Sequence, residues 1–109
     1  MIEFDDFCKV EILAGTVLSV EDFPEARKPA YKVKIDFGKG RIMASSAQIT
    51  ALYRKEDLLG KQVLAVTNFP PKRIAGFKSE CLILGFHVSP TEVVLIHPER
   101  PVPPGTRVS

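Results

Sequence analysis

The side chains best suited to chemistry lie in one short stretch, residues 68–79, between two apolar runs typical of strands. This stretch, the basic loop, holds three cations, two aromatic rings and no carboxylate: Lys72, Arg73, Lys78, Phe69 and Phe77. Cations meet phosphate oxygens and flat rings stack on bases, so the composition is typical of a nucleic-acid contact. Asn68 and Ser79, at its two ends, can hydrogen-bond bases or sugars. The alternative is an ordinary solvated hairpin loop.

Charge is segregated along the chain. The net charge of +2 is modest for an RNA-binding protein. The first 25 residues hold seven acids and one base, a net charge of −6, whereas residues 26–109 hold six acids and fourteen bases, a net charge of +8. No acid occurs between Asp57 and Glu80. The basic loop therefore lies in a part of the chain without negative charge.

Few groups could perform catalysis or bind a metal. The histidines, His87 and His97, flank a short strand and are interpreted as surface or edge residues. Paired acids are sequence neighbours, whose side chains point in different directions. Cys8 and Cys81 lack metal or redox spacing, and their apolar surroundings predict that both are buried. No phosphate-binding glycine loop, zinc spacing or nucleophile elbow occurs, so we expect no enzyme, no cofactor and no metal.

Length and hydropathy bound the architecture. The 109 residues predict a single domain over 1–109, large enough for one core. No apolar run approaches the roughly 18 residues that a membrane span needs. The N-terminus is acidic and lacks the basic start and apolar stretch of a signal peptide. A cytoplasmic location is the resulting expectation.

Alternation of apolar residues predicts the first three strands. The first is long and is expected to bend or bulge at Ala14-Gly15; its apolar positions share one parity: Val10, Ile12, Thr16, Leu18 and Val20. The second strand is the clearest, because apolar and charged residues alternate strictly along it. The apolar positions are Tyr31, Val33, Ile35 and Phe37, and the charged positions are Lys32, Lys34 and Asp36. A Gly-Lys-Gly turn then leads into a third strand over 41–44.

The rest of the pattern predicts a helix, further strands and an extended tail. Ser45 and Gln48 fit a capping box before apolar residues at helical spacing, which predicts a helix over 47–53 with Ser45 and Ser46 as caps. A second brief turn is expected at Glu56-Asp57. A fourth strand over 61–67 and a fifth over 80–86 flank the basic loop. A sixth short strand over 92–96 precedes a proline-rich tail.

Three strands, a helix and two more strands form the element order of the OB-fold. This five-stranded Greek-key barrel binds ligands through strands 2 and 3 and the loops joining strands 1–2 and 4–5. The basic loop is the second of these loops, and Arg27 and Lys28 fall in the first. Lys32 and Lys34 lie on the outer face of strand 2. The sequence therefore predicts an all-β OB-type barrel, with a short helix between strands 3 and 4, terminal extensions and cations converging on one groove.

Five stretches carry a resemblance to a known family: DFPEARKPA (22–30), SSAQIT (45–50), EDLLG (56–60), NFPPKRIAGFKSE (68–80) and PPGT (103–106). The chain resembles the tRNA-binding domain family, OB-fold modules appended to some methionyl-tRNA synthetases and also found as small free-standing dimers. Within it, the similarity is closest to a branch of bacterial protein-export chaperones. Many members follow the motif serine with Gly-Met, where this chain has Glu80-Cys81-Leu82.

The resemblance implies a homodimer and affinity for tRNA or structured RNA. Apolar residues beyond those a small barrel needs also allow a dimer: Ile2, Phe4, Phe7, Val93, Leu95 and Val102. The residues matched to the family's RNA-binding elements are Asn68, Lys72, Arg73, Gly76 and Ser79. With the convergent cations, the predicted RNA-binding set is Arg27, Lys28, Lys32, Lys34, Asn68, Lys72, Arg73, Gly76, Lys78 and Ser79.

The chaperone branch implies a second set of partners, unfolded preproteins and the export motor ATPase. Phe69, Ile74 and Phe77, with a dimer cleft, would supply an apolar patch rimmed by the cations. Both rings can instead pin the loop onto the barrel. Two functions stay open. One is a non-catalytic RNA-binding protein with chaperone activity in protein export, and the other is a preprotein-binding secretion chaperone with vestigial tRNA binding.

Overall fold

Strands dominate the structure, and only two short helices interrupt them. The structure is a computed structural model that describes residues 1–109. Its elements, in chain order, are α1 Phe4–Cys8, β1 Ile12–Asp22, β2 Tyr31–Asp36, β3 Ile42–Ala47, α2 Lys55–Leu58, β4 Gln62–Val66, β5 Lys72–Ile74, β6 Phe77–Ser79, β7 Leu82–Ile83, β8 Gly85–His87 and β9 Val93–Leu95. No helix has the length and apolar character needed to cross a membrane.

Five of the strands form a nearly closed antiparallel barrel. Their order is β3-β2-β1-β4-β7, and the remaining strands form two separate hairpins, β5-β6 and β8-β9. The backbone N–H groups of Glu80 and Cys81 donate to the Ala44 carbonyl, at 2.7 and 3.3 Å, and so bring the β7 end of the sheet against β3. The predicted all-β, five-stranded barrel of OB type is confirmed.

Alternation along β2 builds the centre of the core. Val33 and Ile35 are 1% and 0% exposed, and Tyr31 and Phe37 are also buried. Burial of one such side chain contributes roughly 1.5–3 kcal/mol. On β1, a Cβ atom at Gly15 would overlap the side chains of Ile35 and Phe37, so only glycine lets β1 lie so close to them. The interior face of β2 is therefore the apolar face predicted from its sequence.

The irregularity in β1 lies elsewhere than predicted. Ala14 and Gly15 pair regularly with β4, and the register with β2 shifts between Val17 and Ser19. The prediction of a bend at Ala14-Gly15 was wrong because the glycine serves close packing in a regular ladder. The bulge instead turns Leu18 outwards, where it is half-exposed.

The helix predicted over 47–53 is absent. Strand β3 continues to Ala47, with Ser45 and Ser46 paired to β2, and the helix α2 begins only at Lys55. Ladder hydrogen bonds outcompete the local cap, because Ser46 also donates its backbone N–H to Ser79 Oγ at 3.0 Å. Ile49 is buried without being helical. The acidic turn predicted at 56–57 is the real helix start, where Asp57 Oδ2 accepts the Arg54 backbone N–H at 2.9 Å.

Three further predictions are corrected by the structure. The fifth strand predicted over 80–86 is broken into β7, which joins the barrel, and β8, which pairs with β9. Cys8 is exposed, whereas Cys81 is buried as expected. Burial, followed by the charge of Glu80, raises the pKa of the Cys81 thiol to about 12. Val93, proposed for a dimer surface, belongs to the barrel core.

Candidate nucleic-acid interface

The basic loop contains a β-hairpin, formed by β5 and β6 and called the basic hairpin below. Its residue pairs are Lys72 with Ser79, Arg73 with Lys78, and Ile74 with Phe77. Ala75 and Gly76 form the two-residue turn with φ of 46° and 81°. Positive φ at both central residues is what a type I′ turn requires, and such turns match the twist of paired strands. The turn therefore gives the hairpin a short, slender tip.

One face of the basic hairpin is purely cationic. Arg73 and Lys78 are directly paired, so their side chains share a face, and both are exposed. Like charges placed directly opposite destabilise a hairpin. The Arg73 Nη1 donates to the Gly76 carbonyl at 3.2 Å, and neither cation has a carboxylate partner. This face is complementary to an anion supplied from outside.

The other face packs on the barrel through aromatic rings. Phe77 lies edge-on to Phe23, with ring centroids 5.5 Å apart. The Lys32 ammonium lies 4.9 Å from the Phe23 centroid and 5.4 Å from that of Phe77, close enough for cation–π attraction to both rings. The structure thus brings together the loop after β1, the outer face of β2 and the basic hairpin. Phe23 was not assigned to the site from the sequence. Its position could have indicated this role, because it is an aromatic residue at the start of the first predicted ligand loop.

A row of paired residues links the lysines of β2 and β5. Lys32 pairs with Ser46 on β3, and Ser79 on β6 accepts the Ser46 backbone N–H. Ser79 pairs in turn with Lys72. Lys34 lies two residues from Lys32 on the same outer face of β2 and is exposed. Strand pairing therefore aligns cations that are far apart in sequence.

Seven predicted contact residues form no ion pair: Arg27, Lys28, Lys32, Lys34, Lys72, Arg73 and Lys78, here called the basic face. All but the half-buried Lys32 are exposed. Arg27 and Lys28 lie in the loop between β1 and β2, which begins with Phe23. The five cations with a carboxylate partner are Lys9, Arg41, Arg54, Lys55 and Arg100. The six exposed cations of the basic face therefore have no carboxylate partner that would compete with a phosphate.

Two polar residues predicted to contact RNA already have protein partners. Asn68 Oδ1 accepts the Glu11 backbone N–H, and its Nδ2 donates to the Lys9 carbonyl. Ser79 Oγ accepts from β3, as described above. The neighbouring Glu80 also serves the barrel, because its Oε1 accepts the Ala44 backbone N–H at 3.1 Å. Sequence motifs alone give no sign of these long-range bonds.

The predicted apolar patch divides into an exposed ring and two packed side chains. Phe69 is 50% exposed. Ile74 and Phe77 are half-buried, and Phe77 contacts Phe23. Phe77 thus pins the hairpin onto the barrel. The sequence had left this structural role open for both Phe69 and Phe77. Phe69 remains the member of the set that is open to a ligand.

Other features lie apart from the basic face. A cavity of about 760 Å³ borders the start of β4 and the tail, and its lining includes Tyr53, Gln62 and His97 but no residue of the basic face. His87 pairs with Val93 at the edge of the β8-β9 hairpin. No three His, Cys, Asp or Glu side chains are grouped as metal ligands would be.

A five-stranded OB-type barrel with unpaired cations on the loops that join strands 1–2 and 4–5 and on strand 2 has the architecture of a nucleic-acid-binding module. The family model "Putative tRNA binding domain" matches residues 12–107, and the chain belongs to this tRNA-binding domain family. The methionine–tRNA ligase of Methanoregula boonei is 37% identical over 108 residues, covering 99% of this chain. The match covers only 16% of that ligase, so this chain corresponds to a small part of such enzymes.

Solved structures of similar length are also similar throughout. The chaperone CsaA from Bacillus anthracis str. Ames is 50% identical with a TM-score of 0.95, covering 100% of this chain and 99% of that one. The CsaA chaperone protein from Picrophilus torridus is 46% identical with a TM-score of 0.92, covering 100% of both chains. The chain is thus similar to a small part of a methionine–tRNA ligase and, over its whole length, to two CsaA chaperones.

Proposed function

We propose that this protein binds tRNA or another structured RNA without catalysis, through the basic face. The observation that carries the proposal is the set of seven cations without ion pairs on the basic hairpin, the loop after β1 and the outer face of β2. These are the surfaces through which OB-folds bind nucleic acids. Membership of the tRNA-binding domain family supports tRNA as the ligand class.

Salt dependence tests this proposal directly. Lys72, Arg73, Lys78 and Arg27 are the cations we assign to phosphates. If about four phosphates are neutralised, the logarithm of the association constant should fall against the logarithm of salt concentration with a slope near −3, at roughly 0.7 per contact. The measurement is a titration of labelled tRNA at several salt concentrations. Affinity that does not change with salt would refute an interface made of phosphate contacts.

A second candidate function is the binding of unfolded polypeptide segments. The specific observations are the exposed ring of Phe69 beside the basic hairpin and the similarity to two CsaA chaperones over the whole chain. In this role the protein would receive preproteins for export and would also contact the export motor ATPase. Phe69 would supply the apolar contact, and the cations would form its rim.

Salt also separates the two candidates. Apolar contacts persist at high salt, whereas phosphate contacts weaken, so one sample is titrated with tRNA and with an unfolded polypeptide at low and high salt. Peptide binding that survives high salt and falls in Phe69→Ala supports the chaperone role. Peptide binding that disappears at high salt together with tRNA binding would leave RNA as the ligand that fits the basic face.

We further propose that the protein is a cytoplasmic homodimer. Apolar side chains remain exposed on the N-terminal segment and on the β8-β9 hairpin, notably Ile2, Phe4, Phe86 and Val94. Phe86 and Val94 are directly paired and so share one face of that hairpin. Burial of these side chains in a second copy would also double the number of basic faces. Light scattering should give twice the mass of one chain, and Phe86→Asp should shift it to the monomer.

A further inference from the structure

The side chain of Asn68 is bonded to the backbone at both of its polar atoms. Its Oδ1 accepts the Glu11 N–H at 2.9 Å, and its Nδ2 donates to the Lys9 carbonyl at 2.7 Å. The preceding Thr67 donates its backbone N–H to the Glu11 carbonyl at 2.9 Å. Asn68 therefore continues the pairing of β1 with β4 beyond the last strand residues, through its side chain.

The segment after Asn68 is stiff and is otherwise unattached. Residues 69–71 make no hydrogen bond to the barrel, and two of them, Pro70 and Pro71, have fixed φ. With two of its φ angles fixed, this segment has less freedom to absorb a change of direction at Asn68 before Lys72 and Arg73. The other end of the basic hairpin is held separately, by Ser79 and Glu80 on β3 and by the contact of Phe77 with Phe23.

We infer that Asn68 is a positioning residue that holds the basic hairpin in its RNA-binding orientation and does not itself contact RNA. The inference rests on the proposed RNA binding. Loss of the two side-chain bonds lowers the fraction of molecules with the hairpin correctly oriented, and the apparent affinity falls by that fraction. The correctly oriented molecules still make every phosphate contact. The salt slope is therefore unchanged, whereas loss of a phosphate contact reduces it by roughly 0.7.

The test compares three alanine variants in tRNA titrations at several salt concentrations. Asn68→Ala is expected to bind about tenfold more weakly with the wild-type slope. Lys72→Ala is the contact reference and should reduce the slope. Gln62→Ala is the matched control, because Gln62 makes the same pair of amide bonds to the Val102 backbone, at 2.7 and 3.0 Å, under the tail. It should leave the affinity within about twofold.

Hydrogen exchange on the free protein supplies a readout independent of RNA. In Asn68→Ala, exchange should quicken at the Glu11 amide and in the basic hairpin and stay unchanged elsewhere in the barrel. Asn68→Ser, which removes the amide but keeps a small polar side chain, should behave in the same way and serves if the alanine variant does not fold.

Three results would overturn the inference. A reduced salt slope in Asn68→Ala would make Asn68 a contact residue. A folded variant with wild-type affinity and slope would show that the bonds do not orient the hairpin. Unchanged exchange in the hairpin would show the same without RNA. Failure of the proposed function itself is visible separately, as wild-type protein that does not bind tRNA in a salt-dependent manner.

Discussion

The cations of the basic face differ in their surroundings from most cations elsewhere: all seven lack a carboxylate partner, whereas five of the other eight have one. On the basic face, Lys72, Arg73 and Lys78 lie together on one hairpin, within the stretch between Asp57 and Glu80 that holds no acid, and none of them forms an ion pair. Elsewhere, Arg54 and Lys55 bond to acids, in a short helix rich in both signs. The pairing raises the pKa of both cations, through hydrogen bonds to Asp57 and Asp22. Negative charge thus neutralises Arg54 and Lys55 locally and is missing beside the three cations of the basic hairpin.

This difference points to function because unpaired like charges have a cost. Direct opposition of Arg73 and Lys78 disfavours the hairpin that carries them, while an external anion removes the repulsion. The paired cations gain less from an added anion, because each already has a carboxylate beside it that a second negative charge would meet. A net charge of +2 therefore understates the positive field over the basic face.

Charge reversal on the basic face should have the largest effect. Lys72→Glu combined with Arg73→Glu should weaken tRNA binding at least about a hundredfold, because hydrogen bonds to charged groups contribute roughly 1.5–3 kcal/mol each and two are lost. The free energy of unfolding should hardly change, since both side chains are exposed. Filter binding and urea unfolding measure the two quantities.

The matched control reverses the charge of two cations that form ion pairs. Arg54→Glu combined with Arg100→Glu changes the net charge by the same amount but alters side chains bonded to Asp57 and Glu99. Binding should stay within about threefold of wild type, because only the long-range field changes and salt screens it within about 10 Å. Equal losses in both double variants would mean that net charge, not the basic face, governs binding.

The two phenylalanines of the basic loop should differ in stability. Phe77→Ala should cost about 1.5 kcal/mol, because a half-buried ring and its edge contact with Phe23 are lost. Phe69→Ala should change the free energy of unfolding by less than about 0.5 kcal/mol, because the ring is half-exposed. Urea unfolding of both variants checks this contrast. A similar cost at both positions would show that Phe69 also pins the loop.

The sequence predicted what depends on local alternation and missed what depends on distant partners. Strict alternation in β2 identified the core face and the outer lysines, and element order identified the barrel. The capping pattern at Ser45 failed, because Ser46 is held in β3 by Ser79, a residue 33 positions away. The same limit applies to Asn68, whose partners lie 57 and 59 residues away. A local sequence pattern does not show which polar side chains form hydrogen bonds with residues so far away in the chain.

The turn of the basic hairpin offers a smaller, stabilising change. Ala75 has φ of 46°, a left-handed conformation that costs an alanine roughly 1–2 kcal/mol. Asn-Gly is the preferred pair in type I′ turns, so Ala75→Asn should raise the free energy of unfolding by about 0.5–1 kcal/mol. Ala75→Val, which cannot relieve this strain, should lower it. Thermal unfolding measures both, and a melting temperature lowered by asparagine would contradict the turn assignment.

The smallest expected effect concerns the Glu11 carboxylate, whose hydrogen bonds near the start of the basic hairpin depend on pH. Glu11 is bonded to Thr67, next to Asn68, and to Arg41 at 3.0 Å. The hydrogen bond from Thr67, and then the Arg41 partner, hold the pKa of Glu11 below its ordinary value of 4.5. A lowered folded-state pKa gives stability that is present above the ordinary value and is lost as pH falls through the folded pKa.

Glu11→Gln should therefore be less stable than wild type at neutral pH, by less than about 1 kcal/mol, and the difference should vanish in acid. The control is Asp57→Asn, since the Arg54 backbone N–H lowers the pKa of Asp57 in the same way, away from the hairpin. Glu11→Gln should flatten the stability profile below pH 4.5 and Asp57→Asn below pH 3.8, which are the ordinary pKa values of the two groups. Only Glu11→Gln should quicken hydrogen exchange in the basic hairpin, because only the Glu11 carboxylate is bonded to Thr67, the residue before Asn68. Equal hydrogen exchange of the hairpin in the two variants would show that the charge of Glu11 does not affect the orientation of the hairpin.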